Sequence, residues 1–482
     1  MIHHPRNLAG IALGQPGIRA LLLLLGILSL YAIYGSLHFY RDPLSIFFSQ
    51  RHGFDQFYSA TRKAEADEFV DAATADPRFA RSKLGNASEG GGDWPPPQIC
   101  AAFVTVGRQV HGRQYIDSAV GSFLANMTRA ERRAIHLKLF FADVPDAEAR
   151  HASFARLSAA GLADEVFTYN STLPARDRDR KIETLAGWAE DRGNKHKLER
   201  KTVHDYAYAM DRCVRTTEAP YIALFEGDIL LADGWAARTL ANLRTVEEMM
   251  RDPQRRDPAK GEIEPGRPNT WLYLRLFNQE RSSGWSGGTG FRSNNAHVIS
   301  AAIAIPLLLI LLLARGRLPR HVARQMDGWT LLVICGVAVP VFVWLFFASG
   351  KASLVGSPPG VREEWFGCCN QALVYNRAHA GALAEHMLDA ATRRSAPGRS
   401  DMLPKKFAWD RGLARISAYP MLAQHVGRVS AIDTSDDEAR RVWSMAFEDL
   451  RPERLAAQHA RDVRALFGDE AVYGATTVDE LE

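Results

Sequence analysis

The sequence lacks a strong charge imbalance and any dense tract of basic residues. Its formal net charge is +4 over 482 residues, and acidic and basic side chains are interspersed along the chain. No stretch combines basic with aromatic residues in the way that a nucleic-acid surface requires. Internal repeats are also missing, and no cysteine or histidine spacing matches a zinc site. These absences argue against nucleic acid as a partner and against a structural zinc centre.

Charged side chains are missing altogether from three segments, residues 20–40, 293–314 and 328–350. Each has about the ~20 residues that a helix needs to cross a bilayer. The first is too long for a cleaved signal peptide and no clear small-x-small cleavage site follows it, which favours an uncleaved signal anchor. The other two contain AIAIPLLLILLLA and VPVFVWLFF, which are apolar on every face, unlike a core hairpin of a soluble protein. We therefore predict an N-terminal transmembrane helix and a transmembrane hairpin.

The basic residues around these segments predict their orientation. The link at residues 315–327 contains four arginines and one acidic residue, and the tail at residues 1–19 contains Arg6 and Arg19. Basic residues favour the cytosolic side of a membrane, so residues 41–292 and 351–482 are expected on the lumenal side. Three tripeptides that can accept N-glycans lie in the first of these lumenal segments, at Asn86, Asn126 and Asn170.

Cysteine is scarce, with five residues in the chain. Cys335 lies inside the third predicted span, where we expect it to pack against apolar neighbours. The other four would be lumenal, where disulfides form, and are Cys100, Cys213, Cys368 and Cys369. Four cysteines allow three pairings, and the sequence alone does not select among them.

The lumenal residues divide into a stem and a domain. Residues 41–97 are polar, contain a predicted helix around Gln56 to Ala73, and end in EGGGDWPPP, which cannot continue a helix or a strand. Beyond them, strand-like runs such as ICAAFVTVGR, LKLFFADV and YIALF alternate with helical patterns, including a long helix over Lys195 to Thr216. This alternation predicts an α/β domain with a mainly parallel sheet. Residues 351–482 contain few strands, so we expect the hairpin at 293–350 to be inserted into one domain, formed by residues 98–292 and 351–482.

Two acids follow the predicted strand YIALF. Glu226 and Asp228 are separated by Gly227, and alternate residues of an extended chain project to the same side. In α/β sheets, ligands bind beyond the carboxyl ends of the strands. Two carboxylates in that place suit Mn²⁺ or Mg²⁺, which could bridge the two phosphates of a nucleotide-sugar. The alternative is a solvated turn, in which Gly-Asp pairs are common.

The combination of signal anchor, stem, α/β domain and acid-x-acid motif resembles a Golgi glycosyltransferase of the GT-A fold. The stretches AAFVTVGR, ERKTVHDYAYAM and PMLAQHVGRVSAI resemble segments of branching N-acetylglucosaminyltransferases. The inserted hairpin and the run CCNQA, from Cys368 to Ala372, are similar to the post-GPI attachment to proteins factor four family. That family has three spans and a split GT-A domain. The resemblance covers roughly residues 15–435 and departs at Gly227, where the family tends to have a middle aspartate.

What the resemblance implies is an inverting, metal-dependent transfer of N-acetylgalactosamine from UDP-GalNAc to the mannose of a GPI-anchor glycan. The acceptor would be a GPI glycolipid or GPI-anchored protein. The location would be the Golgi membrane, with the catalytic domain in the lumen, rather than the endoplasmic reticulum. Membrane lipids would be partners too, since the spans would hold the active site at the height of the headgroups.

The resemblance also implies roles for single residues. Glu226 and Asp228 would hold Mn²⁺ or Mg²⁺, with His425 of QHVG completing the ligands unless it is an ordinary core histidine. The predicted contacts to the nucleotide-sugar are Thr105, Val106, Arg108, Lys201, Asp205 and Glu226. Of these, Lys201 and Asp205 lie one helical turn apart and could instead form an ordinary surface ion pair.

An inverting transfer needs a carboxylate that deprotonates the acceptor hydroxyl. Asp401 in RSDML resembles the acid in the base position of related enzymes, and Glu364 is its rival. Either could instead be a helix cap or a solvated charge. Trp285 and Trp365 flank the hairpin and could stack on a sugar or serve as aromatic residues of the membrane interface.

Three other functions remain as alternatives at this point. The chain could be an N-acetylglucosaminyltransferase that acts on N-glycans or another lipid-linked glycan. It could be a non-catalytic membrane scaffold, because Gly227 interrupts the acid motif. A transporter is disfavoured, since the spans contain no ionisable acid, lysine or arginine that would mark an ion pathway.

Overall fold

A computed structural model describes residues 15–76, 78–79, 96–108, 114–191, 194–252, 269–282, 284–285, 295–364, 369–393, 398–428 and 441–471. The chain divides into two compact units. Residues 1–55 and 280–357 form one, here called the helical unit, and residues 56–279 and 358–482 form the other, here called the sheet unit.

The helical unit contains three helices that are long and apolar enough to span a membrane, Pro16–His38, Ala296–Arg315 and Gly328–Ala348. The last of these includes a π-helical stretch, Leu332–Ala338, and short helices occupy Arg320–Ala323 and Lys351–Leu354. Large apolar side chains on all three helices are exposed, for example Leu30 at 70% and Leu313 at 68%. Apolar surface of this extent is unfavourable in water and is expected against lipid. The structure thus confirms three helices that are long and apolar enough to span a membrane in the three predicted segments.

The sheet unit is α/β. Its strands are β1 Ile99–Thr105, β2 Ile135–Phe141, β3 Glu165–Thr168, β4 Tyr221–Glu226, β5 Ile229–Leu231, β6 Trp271–Arg275, β7 Gly360–Glu363, β8 Ala372–Asn376, β9 Ala414–Tyr419 and β10 Ala423–His425. Eight of them form one sheet in the order β3-β2-β1-β4-β8-β6-β9-β7, and β5 pairs with β10 in a small second sheet. The neighbouring pairs β3–β2, β2–β1, β1–β4 and β6–β9 are parallel. The pairs β4–β8, β8–β6 and β9–β7 are antiparallel. The sheet is therefore mixed and mostly parallel, as predicted.

Helices cover both faces of this sheet. The helices of the sheet unit are Tyr58–Ala75, Tyr115–Leu124, Arg129–Arg133, Ala147–Arg150, Phe154–Ala159, Tyr169–Thr172, Arg178–Glu190, Lys195–Thr216, Trp235–Arg251, Arg377–Thr392, Met402–Asp410, Met445–Glu448 and Pro452–Phe467. On β1, Ala101 and Phe103 face one apolar cluster, while Cys100 and Ala102 face another. Burial on both faces explains why the central strands are apolar runs without alternation.

The sheet unit is assembled from both sides of the inserted helices. Strand β8 follows the insertion in sequence, yet it lies between β4 and β6, which precede it. Strand β9 likewise pairs with β6. Strands from both sides of the insertion thus complete one sheet, within a unit whose bounds, 56–279 and 358–482, differ from the 98–292 and 351–482 expected from the sequence. Since one sheet cannot lie on both sides of a bilayer, the insertion must cross the membrane an even number of times if its helices span it.

The predicted stem is wrong in one part. Helix Tyr58–Ala75 belongs to the sheet unit, and Val70 and Ala73 are fully buried in its core. Arg62 is also fully buried. Its burial is tolerated because its guanidinium donates to backbone oxygens of Leu231 at 2.9 Å and Ser122 at 2.8 Å. A buried arginine makes the helix look polar in sequence, so the domain seemed to begin only after residue 97. The folded domain includes this helix.

The structure assigns one pair among the four candidate cysteines, which the sequence left open. Cys100 of β1 and Cys213 of helix Lys195–Thr216 form a disulfide buried in the core, with Cα atoms 5.8 Å apart. Cys369 is disulfide-bonded as well, and Cys368 lies outside the described residues. Cys335 is a free, buried cysteine, as predicted for the span.

Candidate functional site

The site is built at the carboxyl edge of the parallel strands. Strands β1 and β4 are neighbours in register, with Val104 opposite Glu226. Thr105 therefore ends β1 beside the point where Glu226 ends β4. The loop that follows β1 and the Glu226–Gly227–Asp228 turn meet there, as expected for adjacent parallel strands. Val106 of this loop packs against one of the apolar clusters.

The small sheet brings His425 to the acids. Ile229 of β5, directly after Asp228, pairs with His425 of β10, and the Val426 N–H donates to the Asp228 backbone oxygen at 2.9 Å. The Nε2 atom of His425 lies 3.3 Å from Oδ2 of Asp228. Its Nδ1 lies 3.1 Å from the Val442 carbonyl, which can only accept, so Nδ1 carries a proton. This contact directs Nε2 toward the acids, which is how metal-binding histidines are commonly held.

Glu226, Asp228 and His425 form a set of ligands that fits a divalent cation. One ligand atom from each lies within 4.8 Å of the other two. Asp228 is only 3% exposed, and its Oδ1 is buried without a hydrogen-bond partner among the described residues. Two carboxylate groups and an imidazole are ligands that Mn²⁺ accepts. Burial of Asp228 also excludes the alternative of a solvated turn, and the contact with Asp228 gives His425 a place in the cluster.

Burial and neighbouring charges set the ionisation of this cluster. Burial, with a contribution from Asp228, raises the pKa of Glu226 to about 7, and the Tyr206 hydroxyl donates to Glu226 Oε1 at 2.8 Å. For Asp228, burial opposes the charge, but Arg108 and His425 outweigh it and hold the pKa below its usual range. For His425, burial opposes the imidazolium, but Asp228 outweighs burial and raises the pKa. The cluster thus holds Asp228 as a carboxylate poised for a cation.

Arg108 supplies a second cationic group. Its Nη1 atom lies 2.6 Å from Asp228 Oδ2, and its guanidinium lies over the Tyr115 ring. The backbone N–H of Arg108 donates to the side chain of Gln114 at 3.1 Å, which fixes the end of the loop. A guanidinium at the carboxyl edge of the sheet suits a phosphate, because its planar fork donates two parallel hydrogen bonds.

Two glycines allow the close approach of these groups. A Cβ atom at Gly227 would lie 2.8 Å from Thr105 Oγ1 and 3.0 Å from Thr105 Cβ. A Cβ atom at Gly427 would lie 2.1 Å from Oδ2 of Asp228. Thr105 therefore occupies the space that a side chain at position 227 would need. Gly427 was not singled out from the sequence, although it stands in the quoted QHVG run.

Lys201 and Asp205 are buried rather than on the surface. Lys201 Nζ donates to Asp205 Oδ1 at 2.6 Å and to the Ala142 carbonyl at 2.7 Å, and the Tyr169 hydroxyl donates to Asp205 at 2.6 Å. The alternative of an ordinary surface ion pair is wrong. Through the bond to Ala142, the pair holds the residue that follows β2. The next residue, Asp143, was not identified from the sequence.

Asp143 holds the loop after β1. Its carboxylate accepts the Gly107 N–H at 2.9 and 3.0 Å, so the loop that leads to Arg108 is tied to the end of β2. Burial raises the pKa of Asp143 to about 6. Asp143 and Tyr206 are therefore positioning residues of the site. Tyr206 stood in the quoted HDYAYAM run, whereas no local signal marks Asp143.

The two candidate bases have different surroundings. Glu364 is buried and paired with Arg275, whose Nε lies 2.5 Å from Glu364 Oε2, and the Tyr273 hydroxyl donates to it at 3.0 Å. Both of its carboxylate oxygens are therefore occupied by hydrogen bonds from these two side chains. Asp401 precedes helix Met402–Asp410 but makes no capping hydrogen bond, and its Oδ1 lies 3.2 Å from Arg399 Nε. Burial lowers the pKa of Lys405, and the charges of Glu364 and Asp401 both oppose this lowering.

The remaining predicted residues divide between described and undescribed parts of the chain. Asn126 and Asn170 are exposed, as glycan acceptors must be. Trp285 lies in the helical unit, where its indole N–H donates to the Phe347 carbonyl at 3.0 Å and its ring packs against Phe346. These contacts give it a packing role within that unit. Asn86 and Trp365 lie outside the described residues.

No protein-family model matches the chain, and no curated protein matches it. The functional assignment therefore depends on the geometry of the site and on the sequence resemblance.

Proposed function

We propose that the chain is a membrane-anchored glycosyltransferase that uses a nucleotide-sugar and a divalent cation. The observation that carries this proposal is the buried set of Glu226, Asp228 and His425 at the carboxyl edge of β4. Oδ1 of Asp228 is buried without a partner among the described residues, which is unusual for a purely structural carboxylate and leaves it able to bind a cation. Ligands of α/β sheets bind at this edge.

The proposed chemistry assigns a task to each side chain. Glu226, Asp228 and His425 would hold Mn²⁺ or Mg²⁺, whose charge neutralises the departing diphosphate. Tyr206 orients Glu226 through its hydrogen bond. Arg108 would turn from Asp228 to a phosphate oxygen, since a guanidinium binds phosphate as readily as carboxylate. Asp143 holds the Gly107 N–H, and with it the loop beside the nucleotide.

For the acceptor step, Asp401 is the better candidate base. Glu364 is bound to the buried side chains of Arg275 and Tyr273, whereas the partner of Asp401 is Arg399, whose side chain is exposed and contacts the two carboxylate oxygens at 3.2 and 3.4 Å. An inverting transfer needs one carboxylate to remove the acceptor proton while the sugar–diphosphate bond breaks. Asp401 would fill this role.

The donor and acceptor come from the sequence resemblance. It favours a GT-A fold, UDP-GalNAc as donor and the mannose of a GPI-anchor glycan as acceptor, in the Golgi. The buried Cys100–Cys213 disulfide supports a lumenal sheet unit, because disulfides persist in oxidising compartments. Three membrane-spanning helices would also keep the enzyme at the membrane that carries a lipid-borne glycan.

A second candidate is a non-catalytic membrane protein. The favouring observation is the Arg108–Asp228 ion pair at 2.6 Å, which neutralises the aspartate without a cation. In that case Arg108 would be a permanent structural partner of Asp228, and no nucleotide-sugar would be consumed.

The full chain, purified in detergent, separates these candidates. UDP release would be measured with Mn²⁺, a GPI-glycan acceptor and a panel of UDP-sugars. We expect turnover of UDP-GalNAc, and a loss of about a hundredfold or more in Asp228→Asn, since even outer partners of metal ligands contribute 10–100-fold. Asp389→Asn, at an exposed ion pair with Arg393, is the matched control and should retain full activity.

The possible outcomes are distinct. Preference for UDP-GlcNAc would indicate the N-acetylglucosaminyltransferase alternative. Absence of UDP release with every donor, or release that is unchanged in Asp228→Asn, would contradict the enzyme and favour the non-catalytic protein.

A further inference from the structure

Two consecutive carboxamide side chains just before β8 have polar atoms without partners among the described residues. Asn370 is 4% exposed and Gln371 is 6% exposed. Nδ2 and Oδ1 of Asn370, and Oε1 of Gln371, are buried with no hydrogen-bond partner among the described residues. Buried polar groups in native proteins nearly always find partners, so orphaned ones require an explanation such as a ligand.

The sheet places Gln371 directly across from Glu226. The last paired residues of β4 and β8 are Phe225 and Ala372, and the ladder continues as the Glu226 N–H donates to the Gln371 carbonyl at 3.0 Å. Leu373 faces the apolar cluster that includes Tyr206, and alternation puts Gln371 on that same face. The Glu226 carboxylate is on this face too, because Tyr206 donates to it. Directly opposed side chains have Cβ atoms roughly 5 Å apart.

The backbone that carries these amides is held firmly. Arg275 Nη1 donates to the Cys369 carbonyl, and Cys369 is disulfide-bonded with a φ of 74°. Arg275 is itself fixed by Glu364. Glu364, the rival candidate base, thus has a positioning role, because it holds the arginine that anchors the Asn370–Gln371 segment. A site with a rigid backbone and unpaired side chains is arranged for a ligand.

The orphaned atoms define the chemistry of that ligand. A phosphate presents only acceptors, which would leave Oδ1 of Asn370 and Oε1 of Gln371 unpaired. The ligand must therefore present both donors and acceptors. A 2-acetamido group offers an N–H and a C=O together, and a carboxamide can pair with both at once. A single hydroxyl cannot pair with both atoms of one carboxamide in this way, whereas a hydroxyl of the same sugar could donate to the carboxamide oxygen that the acetamido group leaves unpaired.

We propose that Asn370 and Gln371 form the subsite that recognises the 2-acetamido group of the donor sugar. This inference rests on the proposed function, because it needs a nucleotide-sugar at the Glu226–Asp228–His425 cluster. The diphosphate would lie at the acids, and the sugar would extend across β8 to the amides. Discrimination between acetamido and hydroxyl sugars would then reside in two neutral side chains that take no part in metal binding.

The test compares binding of UDP, UDP-GalNAc and UDP-Gal, each with Mn²⁺, to the purified full chain by calorimetry. The variants are Asn370→Ala and Gln371→Ala. Asn376→Ala is the control, since this residue lies at the far end of β8 and caps helix Arg377–Thr392. We expect wild type to prefer UDP-GalNAc over UDP-Gal, and each site variant to lose about tenfold or more of that preference. UDP affinity should stay unchanged in all variants.

A structural role predicts something else. Because the Asn370 side-chain amide has no hydrogen-bond partner among the described residues, Asn370→Ala should not lower the thermal midpoint without ligand, whereas the loss of a structural amide would lower it. Asn370→Ser keeps one hydroxyl and provides the same comparison if the alanine variant does not fold.

Each outcome decides a different claim. If wild type binds UDP with Mn²⁺ but does not distinguish UDP-GalNAc from UDP-Gal, the subsite is refuted while the proposed function stands. Unchanged preference in both variants has the same meaning. If wild type binds neither UDP nor any UDP-sugar, the proposed function and the subsite both fail.

Discussion

Gly427 offers a sharp test of the arrangement around Asp228. Replacing Gly427 with alanine would place a Cβ atom 2.1 Å from Asp228 Oδ2, 2.8 Å from Cγ and 3.0 Å from Cβ. An ordinary carbon–oxygen contact needs more than about 3 Å, so the carboxylate or the chain at Gly427 must retreat by roughly 1 Å. The Gly427→Ala variant is therefore expected to disturb the ligand cluster directly.

The surroundings of Asp228 determine the size of the effect. Its Oδ2 is held between Arg108 Nη1 at 2.6 Å and His425 Nε2 at 3.3 Å, so a retreat breaks at least one of these contacts. Metal–ligand distances tolerate only about 0.2 Å of change. We expect Mn²⁺ affinity to fall roughly 10–100-fold, comparable to the loss of a partner of a metal ligand. Overpacking should also lower the free energy of unfolding by about 1–3 kcal/mol.

Two measurements on the purified full chain check this prediction, Mn²⁺ titration by calorimetry and thermal unfolding in EDTA. Gly381→Ala is the matched control. Its Cβ atom would lie in helix Arg377–Thr392, 3.7 Å from Val214 Cγ1, which is an ordinary van der Waals contact. This control should keep wild-type Mn²⁺ affinity and gain up to about 1 kcal/mol from helix propensity. Wild-type Mn²⁺ affinity and an unchanged thermal midpoint in Gly427→Ala would refute the placement of Asp228 against Gly427.

Three further predictions follow from the sheet unit. Burial raises the pKa of Asp143 from 3.8 to about 6, so the fold prefers its protonated form and wild-type stability falls as pH rises from about 4 through 6. Asp143→Asn should unfold at the same temperature as wild type near pH 4 and at a higher temperature above pH 6. The gain in unfolding free energy above pH 6 should be at most roughly 3 kcal/mol. A difference between the two proteins that does not change with pH would contradict this. Gly227→Ala should lose about 1–3 kcal/mol against Thr105, and Thr105→Gly should restore part of that loss in the double variant, as a double-mutant cycle of thermal midpoints would show. Replacing Cys100 and Cys213 with serine removes a crosslink between residues 113 positions apart and should cost about 2–5 kcal/mol of unfolding free energy, whereas an unchanged chemical denaturation curve would show that the disulfide contributes nothing.

The sequence predicted those features whose signals are local. The three apolar helices and helix Lys195–Thr216 carry continuous patterns over about twenty residues each, and the structure places them as predicted. Glu226 and Asp228 were identifiable because they end an apolar strand. His425 was identifiable only through the QHVG resemblance, since the β5–β10 pairing that brings it to Asp228 joins distant parts of the chain.

Features that depend on long-range contact were missed. Arg62 gives helix Tyr58–Ala75 a polar sequence, but backbone oxygens from two other elements satisfy its guanidinium inside the core. Lys201 and Asp205 have the spacing of a surface pair, and only the packing of their helix against the sheet buries them. Asn370 could not be recognised at all, because its significance lies in the hydrogen bonds that it does not make.

The most direct test of the account is the binding of Mn²⁺ to the purified full chain in the presence and absence of UDP, compared between wild type and Asp228→Asn. If Glu226, Asp228 and His425 hold a cation that engages a diphosphate, wild type should bind one Mn²⁺ per chain, more tightly with UDP, and Asp228→Asn should lose this binding. Failure of wild type to bind Mn²⁺, or equal binding by Asp228→Asn, would contradict the account.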